Sequence, residues 1–322
     1  MTSQMAGVTN FVAAQQANRR NTMLLLAGLT VLAALFGYLI GWVLQSQATD
    51  DVAPVSSFGV AAAAALAAAS IIWSLLSLVF GSRLVNAMAE AREITKDDAP
   101  QLFNVVEEMS LAAGVPMPKV RIMETDALNA FATGTSTSNA SIAVTRGLLN
   151  QLNRDELQGV VAHEMAHIAN LDTRYMTIVV VTVGLIALIA DITLRSMAWG
   201  RFGGSRGSSD RRGGGNALLI IVLLVVAILA PIAARLVQMA VSRQREYLAD
   251  ATSVQFTRNP NGLIAALTKL TAAAAPFPGA SRANQHLFIV NPIQTFTARS
   301  SSLMATHPDI EDRIARLRNL GG

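Results

Sequence analysis

Several residue types are scarce or absent in this 322-residue chain. It has no cysteine, which excludes disulfide bonds and thiolate metal ligands and leaves histidine and acidic side chains for any metal chemistry. Only 14% of the residues are charged and only four are histidine, whereas 52% are hydrophobic. With a mean hydropathy of +0.42, the chain is more apolar than a soluble domain of this size normally is. The composition therefore favours a protein with membrane-embedded segments.

The scarcity of charge is greatest in two early runs. Residues 22–44 and 52–82 contain no charged side chain, and each run is long enough to cross a hydrocarbon core of about 30 Å. The first run is too long for a cleavable secretion signal, so we expect it to persist as an anchor. Residues 59–70 are almost all alanine, which either lets another helix approach closely or forms a lipid-facing surface without a partner.

Two later apolar runs match the length and composition of a membrane span less well. Residues 175–194 are interrupted by Asp191, and residues 217–234 have little length to spare for a span. An acidic residue in lipid is costly, and we expect Asp191 to pair with Arg195 one helical turn later, near the interface. The chain is thus predicted to contain two transmembrane helices, and up to four if the later runs also cross.

The most informative motif is VVAHEMAHIAN, which contains His163, Glu164 and His167. Because the two histidines are four residues apart, a helix places both imidazoles on one face, where they can reach one cation. Glu164 lies beside them and is available to handle protons. Asn153 and Glu156 have the spacing of a capping box, which predicts that a helix begins just before the motif. The alternative is a surface helix with two solvated histidines.

A catalytic zinc site of this kind needs a third protein ligand, with water in the fourth position. The downstream candidates are Glu246, His286, His307 and Glu311. We favour Glu246, because Asp250 follows one turn later on the same helical face and an acidic neighbour can support a ligand. The alternative for Glu246 and Asp250 is a solvated helix face. His286 lies in an apolar stretch, where we interpret it as a packing residue.

Taken together, His163, Glu164 and His167 followed by Glu246 and Asp250 resemble the integral-membrane zinc metalloproteases of the HtpX type, relatives of the CAAX prenyl endopeptidases. The resemblance covers most of the chain from residue 20 onward. Asp309 stands where the usual C-terminal motif of the family has a second proline, a departure that affects only the start of a helix. Three further segments agree with the family: NAFATG at 129–134, SIAVTRGLL from Ser141, and THPDIEDRIARL near the C-terminus.

The resemblance implies a mainly helical α+β fold, in which a gluzincin-like metalloprotease domain with a small β-sheet is attached to up to four transmembrane helices. Residue patterns indicate a helix opened by Pro100 and closed by Gly114, followed by strands at 119–124 and 141–145. By resemblance, an edge strand between them binds the extended substrate, although the pattern alone indicates a simple hairpin segment equally well. This segment consists of Asn129, Ala130, Phe131 and Ala132.

The predicted organisation alternates membrane and protease segments. We expect a cytoplasmic N-terminal segment at residues 1–21 and two transmembrane helices at 22–82, followed by the first part of the protease domain at 83–174. Two further hydrophobic segments, with a Gly/Arg-rich loop at 200–216, occupy residues 175–241. The second part of the protease domain, with the third ligand, is predicted at 242–322.

Charge predicts the orientation. Arg19 and Arg20 precede the first span and Asp50 and Asp51 follow it, so we expect a cytoplasmic N-terminus and a cytoplasmic protease domain. The pI of about 9.9 suits a protein beside an anionic leaflet. The arginines of the 200–216 loop conflict with a four-span count, which would place them outside. Either this loop is an exception to the positive-inside rule, or the later hydrophobic pair forms a hairpin that never crosses.

The predicted mechanism uses one zinc ion per subunit, held by His163, His167 and Glu246. Glu164 acts as the base that takes a proton from the attacking water and passes it to the departing amine. The resemblance suggests His307 as a second donor to the oxyanion, although the sequence alone indicates a loop residue at this position.

Three other charged residues are expected near the site. Asp250 supports the ligands, and Arg313 in the terminal helix is expected to pair with it. Asp172, five residues past His167, either orients a ligand histidine or is a helix-end acid beside Arg174.

The resemblance implies a metalloendopeptidase in the bacterial inner membrane that cleaves misfolded or damaged membrane proteins at the cytoplasmic face, in stress-related quality control. Its expected partners are protein substrates and the lipid bilayer. Nucleic acid is not expected, because the composition of the 200–216 loop is typical of a flexible linker. The alternatives are a zinc-binding membrane scaffold or chaperone without proteolysis, and an intramembrane metalloprotease, which the polar residues 153–156 disfavour.

Overall fold

The computed structural model of the chain describes residues 11–49, 55–198, 243–272 and 310–320. Helices dominate this part of the chain, and four strands form one small sheet, which confirms the predicted mainly helical α+β fold. The helices are α1 (Phe11–Thr49), α2 (Ser57–Met88), α3 (Pro100–Ala113), α4 (Arg146–Gln151), α5 (Arg154–Ala169), α6 (Asp172–Ala198), α7 (Arg243–Thr257), α8 (Pro260–Ala272) and α9 (Ile310–Leu320). The strands are β1 (Arg92–Glu93), β2 (Lys119–Met123), β3 (Ala130–Thr133) and β4 (Ser141–Thr145).

The chain forms two compact units. Of the described residues, the first unit contains 11–21, 79–181, 243–272 and 310–320, and the second contains 22–49, 55–78 and 182–198. Helices α1, α2 and α6 contribute residues to both units.

Close packing of two helices characterises the second unit. Gly37 and Gly41 of α1 lie directly against α2, where a Cβ on Gly37 would come within 2.5 Å of the Ala62 carbonyl oxygen and one on Gly41 within 2.8 Å of the Gly59 Cα. Small residues on both helices therefore let the backbones approach. Of the two interpretations of the alanine-rich stretch, the one with a close partner helix is confirmed.

Residues 22–44 of the first hydrophobic run lie in α1, and residues 57–82 of the second lie in α2. Within the described residues, two helices are long and apolar enough to cross a membrane, Val12–Ser46 and Ser57–Met88, or three if α5 and the first part of α6, which are bent by 83°, form one broken span. These helices extend beyond the uncharged runs and include Arg19, Arg20 and Arg83. Long basic side chains near the end of a membrane helix can reach the interface. The run at 217–234 lies outside the described residues.

Asp191, which interrupts the apolar run at 175–194, has a basic partner in the structure. The Arg195 guanidinium Nε donates to Asp191 Oδ2 at 2.8 Å, and both side chains are exposed, which confirms the predicted pairing.

The sheet of the first unit has the order β1–β2–β4–β3. Strands β2 and β4 are parallel, whereas β1 and β3 pair antiparallel with their neighbours, so that Phe131 lies opposite Ala143. Among the described strands, β3 is therefore at an edge. All residues of β3 and β4 are buried, which is expected of strands covered on both faces.

Helix α5 lies at the centre of the first unit, packed among α3, α7 and α8 and beside β3. The core around it contains Leu102, Val105, Ile122, Ile142, Leu157, Val160, Val161 and Leu267, all at most 2% exposed. Burial of each such side chain stabilises the fold by about 1.5–3 kcal/mol. Helix α8 approaches so closely that a Cβ on Gly159 would lie 2.5 Å from the Leu263 backbone nitrogen.

The predicted helix ends are confirmed. Pro100 opens α3, and Gly114 ends it with a left-handed φ of 65°. At the start of α5, Asn153 and Glu156 exchange reciprocal bonds between side chain and backbone, at 3.0 and 2.8 Å. This capping box fixes the first turn of α5, three turns before the histidine motif.

Candidate metal centre and active site

Helix α5 places the motif inside the protein. His163, Glu164 and His167 are 1%, 2% and 5% exposed, so the helix that carries them is not a solvated surface helix. The two Nε2 atoms of the histidines lie 3.3 Å apart, since a separation of four residues stacks both rings on one face.

Helix α7 brings the third predicted ligand to the same point. Glu246 is buried in the first turn of α7, with Oε2 3.5 Å from His163 Nε2 and Oε1 3.7 Å from His167 Nε2. One ligand atom from each residue lies within 4.8 Å of the other two. Three donors from two distant segments thus converge on one buried position.

The spacing of these donors matches a small divalent cation. Tetrahedral ligands about 2.0–2.1 Å from a zinc-sized ion are separated by about 3.3–3.4 Å. The separations that involve Nε2 of His163 are 3.3 Å to His167 and 3.5 Å to Glu246. Two imidazoles and one carboxylate leave a fourth position for water or substrate, as in catalytic sites.

A carboxylate contacts the ring of His163, the first predicted ligand. Asp250 Oδ1 lies 2.9 Å from His163 Nδ1, so a proton on Nδ1 can be donated to the carboxylate while Nε2 faces His167 and Glu246. Arg313 donates to both oxygens of Asp250, from Nε at 2.9 Å and from Nη2 at 2.7 Å. Its Nη1 lies 3.5 Å from Glu246 Oε2. This fully buried guanidinium in the first turn of α9 therefore offsets the charge of two carboxylates.

A second carboxylate contacts the ring of His167, the other histidine of the motif. Asp172 Oδ2 lies 3.0 Å from His167 Nδ1, and Asp172 is 1% exposed. Leu171, with a left-handed φ of 59°, turns the chain sharply between α5 and α6, so Asp172 faces back toward the ring. Of the two interpretations offered for Asp172, the structure supports the one in which it orients a histidine.

Burial and charge shift the pKa values of the site. Burial raises the pKa of Glu164, against the opposing effect of the nearby His163 and His167 rings. Burial and the Arg313 guanidinium lower the pKa of His163, but hydrogen bonds to Asp250 and Glu246 outweigh them and raise it to about 9. These two hydrogen bonds therefore favour the protonated ring of His163.

The structure describes some of the remaining predicted site residues but not others. His307 and His286 lie outside the described residues. Asn129 precedes edge strand β3 and its backbone N–H donates to the Thr145 hydroxyl at 3.0 Å. Ala130, Phe131 and Ala132 lie in β3 beside α5, and all are buried.

Two residues near the site were missed by sequence reasoning. Asn18 of α1 donates from Nδ2 to Asp172 Oδ1 at 2.7 Å. Arg245 of α7 lies with Nε 3.6 Å from the same oxygen and packs over the Tyr175 ring at 4.7 Å. Arg245 directly precedes Glu246, but no motif relates Asn18 to a site 154 residues away.

The chain is similar to known proteins along most of its length. Residues 96–320 match the model of Peptidase family M48. The chain is 43% identical over 309 residues to a "Protease HtpX homolog" of Listeria innocua serovar 6a, covering 94% of this chain and 98% of the relative. It is 42% identical over 304 residues to a "Protease HtpX homolog" of Streptococcus uberis, covering 94% and 97%. The predicted resemblance is confirmed.

A solved structure is also similar. The crystal structure of S. mikatae Ste24p matches with 18% identity and a TM-score of 0.44, over 77% of this chain and 56% of the Ste24p chain. The family model covers more than two thirds of this sequence, and the HtpX homologues cover nearly all of it. The chain therefore belongs to Peptidase family M48, and it is a membrane metallopeptidase.

Proposed function

We propose that the protein is a zinc-dependent endopeptidase whose metal ion is held by His163, His167 and Glu246. The observation that carries this proposal is the convergence of their three donor groups next to Glu164 in the protein interior. Zinc suits this set because imidazole is a common zinc ligand, and magnesium and calcium prefer oxygen ligands throughout. One ion per subunit follows from the single cluster of this kind in the described part of the chain.

The chemistry requires a base beside the metal. When bound, zinc would supply Lewis-acid polarisation of the scissile carbonyl and activation of water. Glu164 accepts the proton of the attacking water and transfers it to the departing amine nitrogen. Burial raises the pKa of Glu164 above that of an exposed carboxyl, which makes proton return to the amine easier.

The ligand rings are held in one orientation by acidic partners. Asp250 and Asp172 each lie close to the Nδ1 atom of one ligand histidine, at 2.9 and 3.0 Å. Each carboxylate favours the tautomer whose Nε2 is free to bind metal. Burial raises the pKa of Asp250, but the Arg313 guanidinium, which is the largest opposing influence, helps to lower it overall. Arg313 therefore keeps Asp250 ionised.

Two further roles extend the family resemblance. We assign to His307 the donation of a hydrogen bond to the oxyanion, a contribution whose loss usually lowers kcat by about 100-fold or more. We assign to Asn129, Ala130, Phe131 and Ala132 the binding of an extended substrate by backbone pairing. The edge position of β3 in the described sheet, beside α5, supports the second assignment.

The proposed substrates are misfolded or damaged membrane proteins, cleaved at the cytoplasmic face of the bacterial inner membrane. Two candidate spans and the HtpX homologues of bacteria support this location. Arg19 and Arg20 before the uncharged run 22–44, with Asp50 and Asp51 after it, support the cytoplasmic orientation.

The direct test uses the full chain purified in detergent with unfolded casein as substrate. We expect cleavage to stop when a chelator removes metal and to return when zinc is added. The Glu164→Gln variant should bind zinc as the natural chain does but cleave at least about 100-fold more slowly, because an amide cannot accept the proton. Zinc-loaded natural protein that leaves casein intact would instead support a scaffold or chaperone role, and undiminished cleavage by Glu164→Gln would contradict the proposed base.

A further inference from the structure

The junction between α5 and α6 connects the metal site to helix α1. After Leu171 turns the chain, the last carbonyl groups of α5 and the Asp172 side chain face the N-terminal turns of α1. Carbonyl groups at a helix C-terminus lack partners within the helix and need donors from elsewhere. Helix α1 provides them.

Two amide side chains of α1 make these contacts. Gln15 donates from Nε2 to the Ala169 carbonyl at 2.7 Å. Asn18, three residues later on the same helical face, donates from Nδ2 to the Asn170 carbonyl at 3.0 Å and to Asp172 Oδ1 at 2.7 Å. Asn18 is only 4% exposed, so its bonds are made in an environment where water competes little.

The two oxygens of Asp172 have different partners. Oδ2 faces His167 Nδ1 at 3.0 Å, whereas Oδ1 receives the Asn18 amide and lies 3.6 Å from Arg245 Nε. A carboxylate held at both oxygens has a fixed plane, and that plane determines the direction in which it accepts the imidazole proton. The orientation of the His167 ring thus depends on a contact made by α1.

We propose that Asn18 is a positioning residue for the metal ligand His167, acting through Asp172. The inference rests on the proposed metal site and extends it by one contact, from ligand to carboxylate to amide. Asn18 lies near the N-terminal end of the first candidate membrane span, Val12–Ser46. The helix that anchors the chain in the bilayer is therefore also part of the support of the metal site.

The test compares metal affinity in the full chain in detergent. Asn18→Leu replaces the amide oxygen and nitrogen by two methyl groups, with the same number of side-chain heavy atoms, and should weaken zinc binding, measured by chelator competition, by about 3- to 10-fold. This is less than the 10–100-fold typical for loss of the carboxylate itself, because Arg245 still faces Asp172. The absorption spectrum of the cobalt-substituted variant should shift as well, since the ligand field changes when the His167 ring reorients.

Two matched variants separate positioning from general stability. Gln16→Leu makes the same kind of change on an exposed position of α1 and should leave affinity and spectrum unchanged. Gln15→Leu removes a bond to the end of α5 that does not involve Asp172, so it should lower the unfolding temperature of the metal-free protein without changing the cobalt spectrum.

A double-mutant cycle tests the route. If Asn18 acts through Asp172, Asn18→Leu should weaken zinc binding little further when Asp172→Asn is already present. A full additional loss in that background, or natural affinity in Asn18→Leu alone, would overturn the inference. If Asn18→Leu is unstable, Asn18→Asp can be tested instead, because it keeps the side-chain size and places a hydrogen-bond acceptor against Asp172. Zinc affinity equal to that of the natural protein in Asn18→Asp would contradict the inference equally. Natural protein that binds no zinc would refute the proposed function itself, a result distinct from both.

Discussion

At the scale of single residues, Arg313 is the position near the proposed metal centre where we expect a substitution to be tolerated least. It is fully buried, donates twice to Asp250 and lies 3.5 Å from Glu246. Guanidinium geometry suits this bidentate contact, whereas lysine presents one point charge. Removal of the guanidinium takes this cationic partner away from two buried carboxylates.

We therefore predict that Arg313→Met lowers the free energy of unfolding by about 3–5 kcal/mol. Arg313→Lys should recover only part of this loss because it keeps the charge and not the paired bonds. Arg318→Met, at an exposed position of the same helix, is the matched control and should be nearly neutral. Thermal unfolding in detergent measures all three, and equal stability of the Arg313→Met and Arg318→Met variants would contradict the assigned role.

Individual residues of the site differ in how well sequence predicts them. The four-residue spacing of His163 and His167 is a local property of a helix, so their shared face follows from the sequence. Glu246 was selected by its acidic neighbour and by resemblance, and the structure brings it to the histidines. Asn18 and Arg245 depend on chain reversals far from their own positions, and a single sequence does not contain that information. The ligand and catalytic roles themselves stay predictions.

At the scale of elements, the packing of α5 against α8 depends on Gly159. A methyl group there would collide with backbone atoms of Leu263, which cannot move aside as the end of a flexible side chain can. We predict that Gly159→Ala destabilises the protein by about 1–3 kcal/mol in spite of the higher helix propensity of alanine.

A second glycine provides the control for this prediction. Gly28 lies within α1, and a Cβ there would have no atom within 4 Å among the described residues. Gly28→Ala should be neutral or slightly stabilising. The difference in unfolding temperature between the two alanine variants measures the packing effect, and its absence would show that α5 and α8 are less closely packed.

Strand β1 depends on exposed charges, because it contains only two residues. Glu93 accepts from Lys119 Nζ at 2.9 Å and from Arg121 Nη2 at 2.9 Å on the neighbouring strand. The Lys119 hydrogen bond is the largest influence and lowers the pKa of Glu93. A carboxyl with a lowered pKa in the folded state contributes stability above its ordinary pKa, and this stability is lost as the pH falls through the lowered value.

We therefore predict a small, pH-dependent effect of Glu93→Gln. At pH 7 the variant should be less stable by up to about 1 kcal/mol, since exposed pairs contribute little. The difference should disappear below the ordinary carboxyl range and in high salt. Thermal unfolding as a function of pH measures it, and a difference that grows on acidification would have the wrong sign.

Elements also show what sequence predicts well. The capping box at Asn153 and the proline and glycine at the ends of α3 are local signals, and their helices form as expected. The turn at Leu171 was not predicted, because leucine rarely adopts a left-handed conformation and only tertiary packing imposes it. That turn directs Asp172 to His167.

At the scale of the whole molecule, the orientation in the membrane can be tested cleanly because the chain has no natural cysteine. Single cysteines introduced at Asp51 and Lys96 should differ in their reaction with a membrane-impermeant maleimide. Asp51→Cys should react in intact cells, whereas Lys96→Cys should react only after lysis. The reverse pattern would place the protease domain outside.

The same labelling resolves the later hydrophobic pair. Ser208→Cys lies in the Gly/Arg-rich loop at 200–216. The positive-inside rule predicts that it is protected in intact cells, as expected if the pair forms a hairpin that does not cross. Reaction in intact cells would contradict this prediction and establish four spans.

The most direct test of the central claim is anomalous X-ray diffraction at the zinc edge from crystals of the purified protein. We predict one peak per chain, about 2.0–2.2 Å from the nearest atoms of His163, His167 and Glu246. A peak at any other position, or zinc bound by the histidines with Glu246 turned away, would contradict the account.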